Sequence, residues 1–366
     1  MEIRQRLGTI LKGEAQPFFQ KTHSMKVCII GAGASGILLS LLLQQFGLPL
    51  NDFCIIDPHF DGGDLQRKWP NVISNTPWST TTDAFRRCLP SLELPAWSKQ
   101  LPPDQPTPLS RIAKLLRDLF HAAKFQTVRG IVEKAIWKPE DGTWIVYVQS
   151  GTGIAEIHST RVIFAQGSIP KHYDIPIPSI PLEVALDPER IKTYVKPSDQ
   201  VIVFGTNHSG ILALKNLADI GVGKIVGVHK GSRPFLWARD AEYDGLKLDG
   251  ADIADSILSG KYPNVRLMSY DNTPNLIRET RNATWVIYAT GFQADTTIRV
   301  SDDSTGISHT DYDPNTGVLK NVPNAWGFGI AYPSQAPDGI HYDVGISSFL
   351  EHFYKQIPSI LPGADL

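Results

Sequence analysis

The stretch Lys26–Pro58, KVCIIGAGASGILLSLLLQQFGLPLNDFCIIDP, constrains the fold of this chain more than any other. Val27–Ile30 is a short, β-branched apolar run ending at glycine, the pattern of a buried parallel strand. Gly31, Ala32, Gly33, Ala34, Ser35 and Gly36 follow at once, and a leucine-rich apolar segment runs from Ile37 to Phe46. A strand–turn–helix unit that holds a dinucleotide makes a separate demand on each glycine. Gly31 forms the tight turn, Gly33 lets the backbone approach a pyrophosphate, and Gly36 lets helix and strand pack closely. The helix start, with Ala34 and Ser35, presents free N–H groups and the positive end of the helix dipole to phosphates. A second apolar strand, Phe53–Ile56, ends in Asp57, about 20 residues past the last glycine, where a carboxylate meets the adenosine ribose hydroxyls.

A chain of 366 residues has room for two domains and a large core. Its net charge of −2 makes no electrostatic case for nucleic acid or for an anionic membrane surface. The longest apolar run, after Gly36, is about ten residues, and a membrane-spanning helix needs ~20. Residues 1–25 carry scattered charges and no apolar core of a signal peptide; Ile3, Leu7, Ile10 and Leu11 give this extension helical spacing. Cys28 and Cys54 fall in the two predicted strands and, with Cys88, read as core residues; no C-x-x-C pair is present. That usage fits a reducing compartment and a cytoplasmic protein. No metal site is expected, and a homo-oligomer is left open.

After Asp57 the segment Asp61–Trp78 holds two glycines and two prolines and reads as irregular backbone. It carries Trp69, Asn75, Thr76 and Trp78; the loop is expected to face the ligand, with capping of the core edge the alternative role for Trp69 and Trp78. Residues 89–109 are proline-rich and read as a loop or lid rather than packed secondary structure. Leu109–Ala123 reads as an amphipathic helix, and Thr127–Trp137, Thr143–Gln149 and Ile154–Phe164 as three strands. The last runs into Ala165, Gln166 and Gly167.

A second strand–turn–helix unit starts at Val201. Gly205 and Gly210 occupy the first and third glycine positions, Asn207 replaces the middle one, and His208 and Ser209 complete the turn. Asparagine tolerates left-handed backbone better than most residues. The next strand, Lys224–Val228, ends not in an acid but in His229, Lys230 and Arg233, which suit a 2′-phosphate and so NADPH over NADH. His208 reads as a loop hydrogen-bonding residue rather than a general base. Further strands are expected at Val265–Tyr270 and Thr284–Tyr288, the latter leading into Ala289, Thr290 and Gly291, and a helix at Val344–Gln356.

Two such units separated by a three-strand segment, with Ala165–Gly167 and Ala289–Gly291 turns before and after the second, resemble the two-dinucleotide-binding-domain flavoproteins. The resemblance covers nearly everything from residue 25 onward. It implies an α/β fold of two Rossmann-like dinucleotide-binding domains, the NADPH domain inserted in the FAD domain, with a three-stranded β segment. The implied boundaries are 26–195 and 286–366 for FAD and 196–285 for NAD(P)H. It further implies that Gly167 and Gly291 lie at crossovers between the domains and that Gly329 and Gly345 complete the FAD site. The loop Asn71–Trp78 and the Ala289–Asp295 segment look like the flavin-containing monooxygenase and N-hydroxylase branch. On that likeness Asn75 would be the catalytic amide beside the flavin, protecting a C4a-hydroperoxide. Three residues or segments depart from the pattern: Asn207, Gln166 in place of a threonine, and Pro178–Leu186 where that branch carries F-x-G-x-x-x-H.

The leading expectation is an FAD-dependent, NADPH-linked monooxygenase acting on a small organic substrate and oxygen. A reductase or dehydrogenase without oxygen insertion, and a flavin-binding scaffold without turnover, stand beside it. No G-x-S-x-G elbow, H-E-x-x-H or P-loop lysine points to another enzyme class.

Overall fold

A computed structural model of the chain describes residues 23–151, 153–235, 249–295, 297–303, 311–336, 339 and 342–363. The expected helical spacing at Ile3–Leu11 lies outside these residues. The predicted first strand forms as β1 (His23–Ile30), followed by α1 (Ala34–Gln45) and β2 (Phe53–Asp57). A short α2 (Asp64–Arg67), α3 (Trp78–Cys88) and α4 (Leu109–Ala123) precede β3 (Thr127–Arg129), β4 (Ile131–Lys138), β5 (Thr143–Ser150) and β6 (Gly153–Phe164). These strands build one sheet, β4-β5-β6-β1-β2-β3. β1, β2, β3 and β6 run parallel, whereas β4–β5–β6 is an antiparallel meander. Val27, Cys28 and Ile29 are fully buried, as a central parallel strand covered on both faces requires. α1 explains its own leucines: it is wedged between the sheet, α4 and the C-terminal helix, so nearly every side is apolar.

The chain then leaves this sheet through β7 (Ser168–Pro170) and the short helices α5 (Leu182–Ala185) and α6 (Pro188–Ile191). A second, wholly parallel sheet follows: β8 (Gln200–Phe204), α7 (His208–Asp219), β9 (Lys224–His229), α8 (Asp249–Leu258), β10 (Val265–Ser269), α9 (Thr273–Asn282) and β11 (Trp285–Tyr288). Its order is β10-β9-β8-β11, so its first three strands repeat the β3-β2-β1 arrangement of the first sheet. β11 belongs here, so this sheet extends past the boundary expected after residue 285.

β12 (Phe292–Ala294) pairs antiparallel with β7, tying the outgoing connection to the returning one. The returning chain adds β13 (Arg299–Asp302) beside β4 and β14 (Ala325–Gly327) beside β6. β14 takes the edge of β6 at Val162–Phe164, beyond the point where β5 has ended. The described chain closes with α10 (Ile346–Ile360), which runs on through Pro358 past the predicted end at Gln356. No helix among the described residues is long and apolar enough to cross a membrane.

Two local expectations are corrected. Thr127–Trp137 is not one strand: Gly130 divides it, β3 pairing with β2 and β4 with β5. A methyl group at Gly130 would sit 2.5 Å from Val148 and 2.6 Å from the Gln149 carbonyl oxygen, so only glycine lets the chain turn there. Residues 89–109 form the expected loop up to the start of α4, but a packed one. They hold a 3₁₀ turn at Ala96–Gln100, and Leu89, Ser98 and Thr107 are buried. The packing is anchored by Trp78, whose indole N–H donates to the Ser98 carbonyl at 2.9 Å. Trp78 is therefore a core residue, 3% exposed.

Candidate functional site

Both glycine turns form at the C-terminal ends of central parallel strands, where open α/β sheets bind ligands. In the first, Gly31 has φ +105°, and a methyl group there would lie 2.4 Å from the Ala165 carbonyl oxygen. At Gly36 it would lie 1.9 Å from the Gly31 carbonyl oxygen. The fold itself therefore requires glycine at both positions.

Gly33 is different. Its φ of −76° suits any residue, and a methyl group would meet no atom within 4 Å among the described residues. Neither backbone nor packing demands glycine here; what it leaves open is room for a ligand over the helix start. No side chain caps α1, so the N–H groups of Ala34, Ser35 and Gly36 face that room. Gly63, at φ +70°, crosses directly above: a methyl group on it would lie 2.8 Å from the Gly33 Cα. From the other side comes Gly329, at φ +89°, whose added methyl would meet the Ser35 Oγ at 2.1 Å. Three chain passes converge on one helix N-terminus, and each does so through a glycine. These residues fit a dinucleotide. Gly63 was not singled out by sequence reasoning; the Gly62–Gly63 pair was the available signal.

Asp57 is 8% exposed and doubly engaged. One carboxylate oxygen accepts from the Ala32 N–H at 2.8 Å, and the other from the N–H groups of His59 and Phe60 at 2.7 and 2.9 Å. Beyond any ligand contact, it ties the glycine turn to the end of β2.

The second turn repeats the first. Gly205 has φ +92°, with an added methyl 2.2 Å from the Ala289 carbonyl oxygen, and Gly210 packs 2.0 Å from that of Gly205 in the same sense. Asn207 sits at φ −73°, so the left-handed backbone that asparagine tolerates is not called on; it is the helix N-cap, where extended backbone is normal. Its side chain is exposed and does not cap α7, while Ser209 and half-buried His208 form the helix start. Burial pushes the His208 imidazole below its ordinary range, and nearby Asp249 only partly opposes this, so the ring is neutral at pH 7. Lys230 and Arg233 are exposed beyond the end of β9.

Gly167 and Gly291, at φ +87° and +89°, flank the β7–β12 pair. Gln166 does more than replace a threonine. Its Nε2 donates to the Tyr332 hydroxyl at 3.1 Å and to the Asp295 carbonyl at 3.4 Å, so one amide joins both crossovers to the C-terminal loop. Burial raises the Tyr332 hydroxyl above the usual phenol range, with the Gln166 contact opposing, so it stays protonated at pH 7. Gly345 caps α10.

Asn75 is exposed, in a loop whose backbone is held on both sides. Ser74 Oγ donates to the Thr76 carbonyl at 2.8 Å and accepts from the Thr107 N–H at 3.0 Å. Among the described residues the Asn75 amide makes no hydrogen bond. Trp69, at the loop's start, meets Phe292 edge-on with ring centroids 6.0 Å apart, and Asn71 donates to Asp187 at 3.0 Å. The loop thus bridges from the first sheet's region to the second.

No protein-family model matches the chain. A curated relative, monooxygenase AgnR1 of Paecilomyces divaricatus, is 26% identical over 90% of this chain and 96% of its own length. Among solved structures, the bacillithiol disulfide reductase Bdr of Staphylococcus aureus superposes with a TM-score of 0.62 at 12% identity, covering 94% of this chain and 100% of that one. A flavin-containing monooxygenase from Stenotrophomonas maltophilia gives a TM-score of 0.62 at 16% identity, covering 93% and 98%. At these identities the structural likeness is one of fold.

Proposed function

We propose that this chain, which has the fold of the two-dinucleotide-binding flavoproteins, is an FAD-dependent oxidoreductase that draws on NADPH and oxygenates a small organic molecule. The observation that carries this reading is the repeated turn, with room left over one helix N-terminus and cations beyond the equivalent strand of the other. The 26% identity to a monooxygenase along 90% of the chain favours oxygenation over plain reduction.

The Rossmann-like domains would be 26–195 with 289–366 for FAD, and 196–288 for NADPH, since β11 closes the second sheet. The N–H groups of Gly33, Ala34, Ser35 and Gly36 would take the FAD pyrophosphate, with Gly63 and Gly329 closing over it. Asp57 retains acceptor capacity for ribose hydroxyls. Gly205, Asn207, Ser209 and Gly210 would take the NADPH pyrophosphate, and Lys230 and Arg233 the 2′-phosphate. Bound FAD supplies the two-electron chemistry between nicotinamide and oxygen. The protein's part is to align the two cofactors through the Gln166–Tyr332 tie, exclude water, and present the Asn75 amide, on a loop whose backbone is held, as a hydrogen-bonding group beside the reacting ring. The described cysteines are buried and free, and none is placed for dithiol exchange along a short motif.

The test is anaerobic mixing of the FAD-loaded protein with NADPH and, separately, NADH, followed by oxygen. Bleaching of the flavin band, faster with NADPH, and then a persistent band blue-shifted from oxidised flavin is the expected result. Bleaching with immediate recovery of the oxidised spectrum would mean a reductase, and no bleaching with either nucleotide would remove the hydride-donor site.

A further inference from the structure

The residue after the first glycine differs between the two turns, and so does what it holds. Gly31 and Gly205 donate their N–H groups to the Ile56 and Val228 carbonyls, which makes Ala32 the counterpart of Thr206 and Asp57 the counterpart of His229. In the first copy the Asp57 carboxylate accepts from the Ala32 N–H at 2.8 Å and ties the turn to the strand end. His229 does not take over that work: it is 9% exposed, and its Nδ1 has no hydrogen-bond partner among the described residues. The second copy makes its tie in the opposite sense. Buried Thr206 donates its hydroxyl to the Pro234 carbonyl, 28 residues on.

That bond reaches past the strand end and takes hold of the loop that carries the cations. Lys230, Gly231, Ser232 and Arg233 are all exposed and form a four-residue arch between buried His229 and half-buried Pro234. Phe235, next along, is buried in the core around the second sheet. Gly231, at φ +79°, supplies a left-handed bend, and the Ser269 hydroxyl lies 3.4 Å from its carbonyl oxygen. A proline ring fixes its own φ near −65° and biases the residue before it, here Arg233, toward extended backbone. Consecutive Cα atoms are about 3.8 Å apart, so a hold on Pro234 is a hold on the base of the Arg233 side chain.

The cations themselves are uncommitted. Lys224, Arg266 and Arg278 of the same region converge on Glu279. Lys230 and Arg233 make no ion pair or hydrogen bond among the described residues. Two like charges on one short arch without an acid repel each other, and a doubly charged phosphate relieves that repulsion. A guanidinium grips phosphate in two-point fashion, so its contribution depends on where its base is held.

We infer that Thr206 is a positioning residue for nucleotide choice: its hydroxyl, through the Pro234 carbonyl, holds Arg233 and Lys230 where they tell a 2′-phosphorylated adenosine from a plain one. This rests on the reading of the arch as the 2′-phosphate site.

The test is calorimetric titration of adenosine 2′,5′-bisphosphate and of AMP into the FAD-loaded protein, with the oxidised flavin spectrum checking that each variant is folded. The wild type should prefer the bisphosphate by at least about thirtyfold. Thr206→Val, which keeps the shape and removes the hydroxyl, should cut that preference about fivefold by weakening the bisphosphate alone, and Thr206→Ser should keep it. Pro234→Ala leaves the buried turn and the accepting carbonyl in place but frees the backbone at Arg233, and should cut the preference about threefold. A general loosening of the fold would weaken AMP as much as the bisphosphate. An unchanged preference in Thr206→Val, equal losses of both nucleotides, or a serine variant that behaves like valine would overturn the inference. Should Thr206→Val fail to hold flavin, an unchanged preference in Pro234→Ala overturns it instead. A wild type that binds both nucleotides equally would remove the 2′-phosphate site itself, and the inference with it.

Discussion

At residues 31–36 and again at 205–210 the chain makes the same turn twice, and the copies match bond for bond. Gly31 N–H donates to Ile56 O at 2.8 Å and Gly205 N–H to Val228 O at 2.8 Å; Ala165 and Ala289 return to Ile30 and Phe204 at 2.8 and 2.7 Å. The helix-capping residues Gly33 and Asn207 share ψ −167° and differ in φ by only a few degrees. The copies diverge where a ligand, and not the fold, would discriminate. One has glycine and the other asparagine over the helix start; one strand ends in buried Asp57 and the other leads into His229 and exposed Lys230. Backbone geometry is thus set by the outer glycines and the strand-end hydrogen bonds, leaving the middle residue and the strand end free to select a cofactor.

The largest expected effect breaks the two copies separately. Gly36→Val and Gly210→Val each drive a side chain into a carbonyl oxygen and should cost at least about 3 kcal/mol. If the turns serve different cofactors, Gly36→Val yields colourless protein, while Gly210→Val keeps its flavin and loses NADPH-dependent bleaching; loss of flavin from both would remove the distinction.

Next in size is Asp57→Ala, which strands three backbone N–H groups and should lower stability by about 2–3 kcal/mol in urea unfolding, with weakened FAD binding. An unchanged urea midpoint would mean that water replaces the carboxylate. Lys230→Ala combined with Arg233→Ala should reduce the preference for NADPH over NADH in flavin reduction by about tenfold or more, with NADH barely affected. Equal losses with both nucleotides would place the cations elsewhere on the cofactor.

Asn207→Gly makes the second turn like the first and should tighten NADPH by about fivefold. Weaker binding would show instead that the asparagine contacts the cofactor. The smallest effect concerns Glu279 of α9, beside the second sheet: unlike Asp57 of the first, which accepts from backbone N–H groups, this carboxylate is 2% exposed and paired with the cations Lys224, Arg266 and Arg278. The Lys224 hydrogen bond, above all, holds its pKa below the ordinary carboxylate value against the opposing effect of burial. Its stabilisation is therefore present above that ordinary value and is lost as pH falls through the depressed one. Glu279→Gln should lower stability at pH 7 by about 1 kcal/mol in urea unfolding, and match the wild type once pH has fallen through the depressed value. A gap independent of pH would mean a packing effect.

Much of this was legible in the chain itself because the signals are local. β1, α1, β2, α4 and both glycine turns follow from residues within one strand–turn–helix unit, where hard-sphere contact admits only glycine. Asp57 was legible by its distance from the turn, though not its three backbone bonds. The tolerance of asparagine for left-handed backbone plays no part at Asn207, because a helix N-cap is extended whatever residue occupies it.

From sequence alone, then, came the two turns, their strands and helices, and the opposite charges after β2 and β9, since each depends on neighbours in the chain. Only the tertiary structure decided the division of Thr127–Trp137 between two strand partners, the pairing of Cys28 with Cys54 across β1 and β2, and Gly63 above Gly33. It also decided that Gln166 would join Asp295 and Tyr332, and that the proline-rich segment 89–109 would pack on Trp78. Each of these is a contact between segments far apart in the chain. It exists because the sheets bring strand ends and loops to one place, and no periodicity or spacing along the chain encodes that meeting.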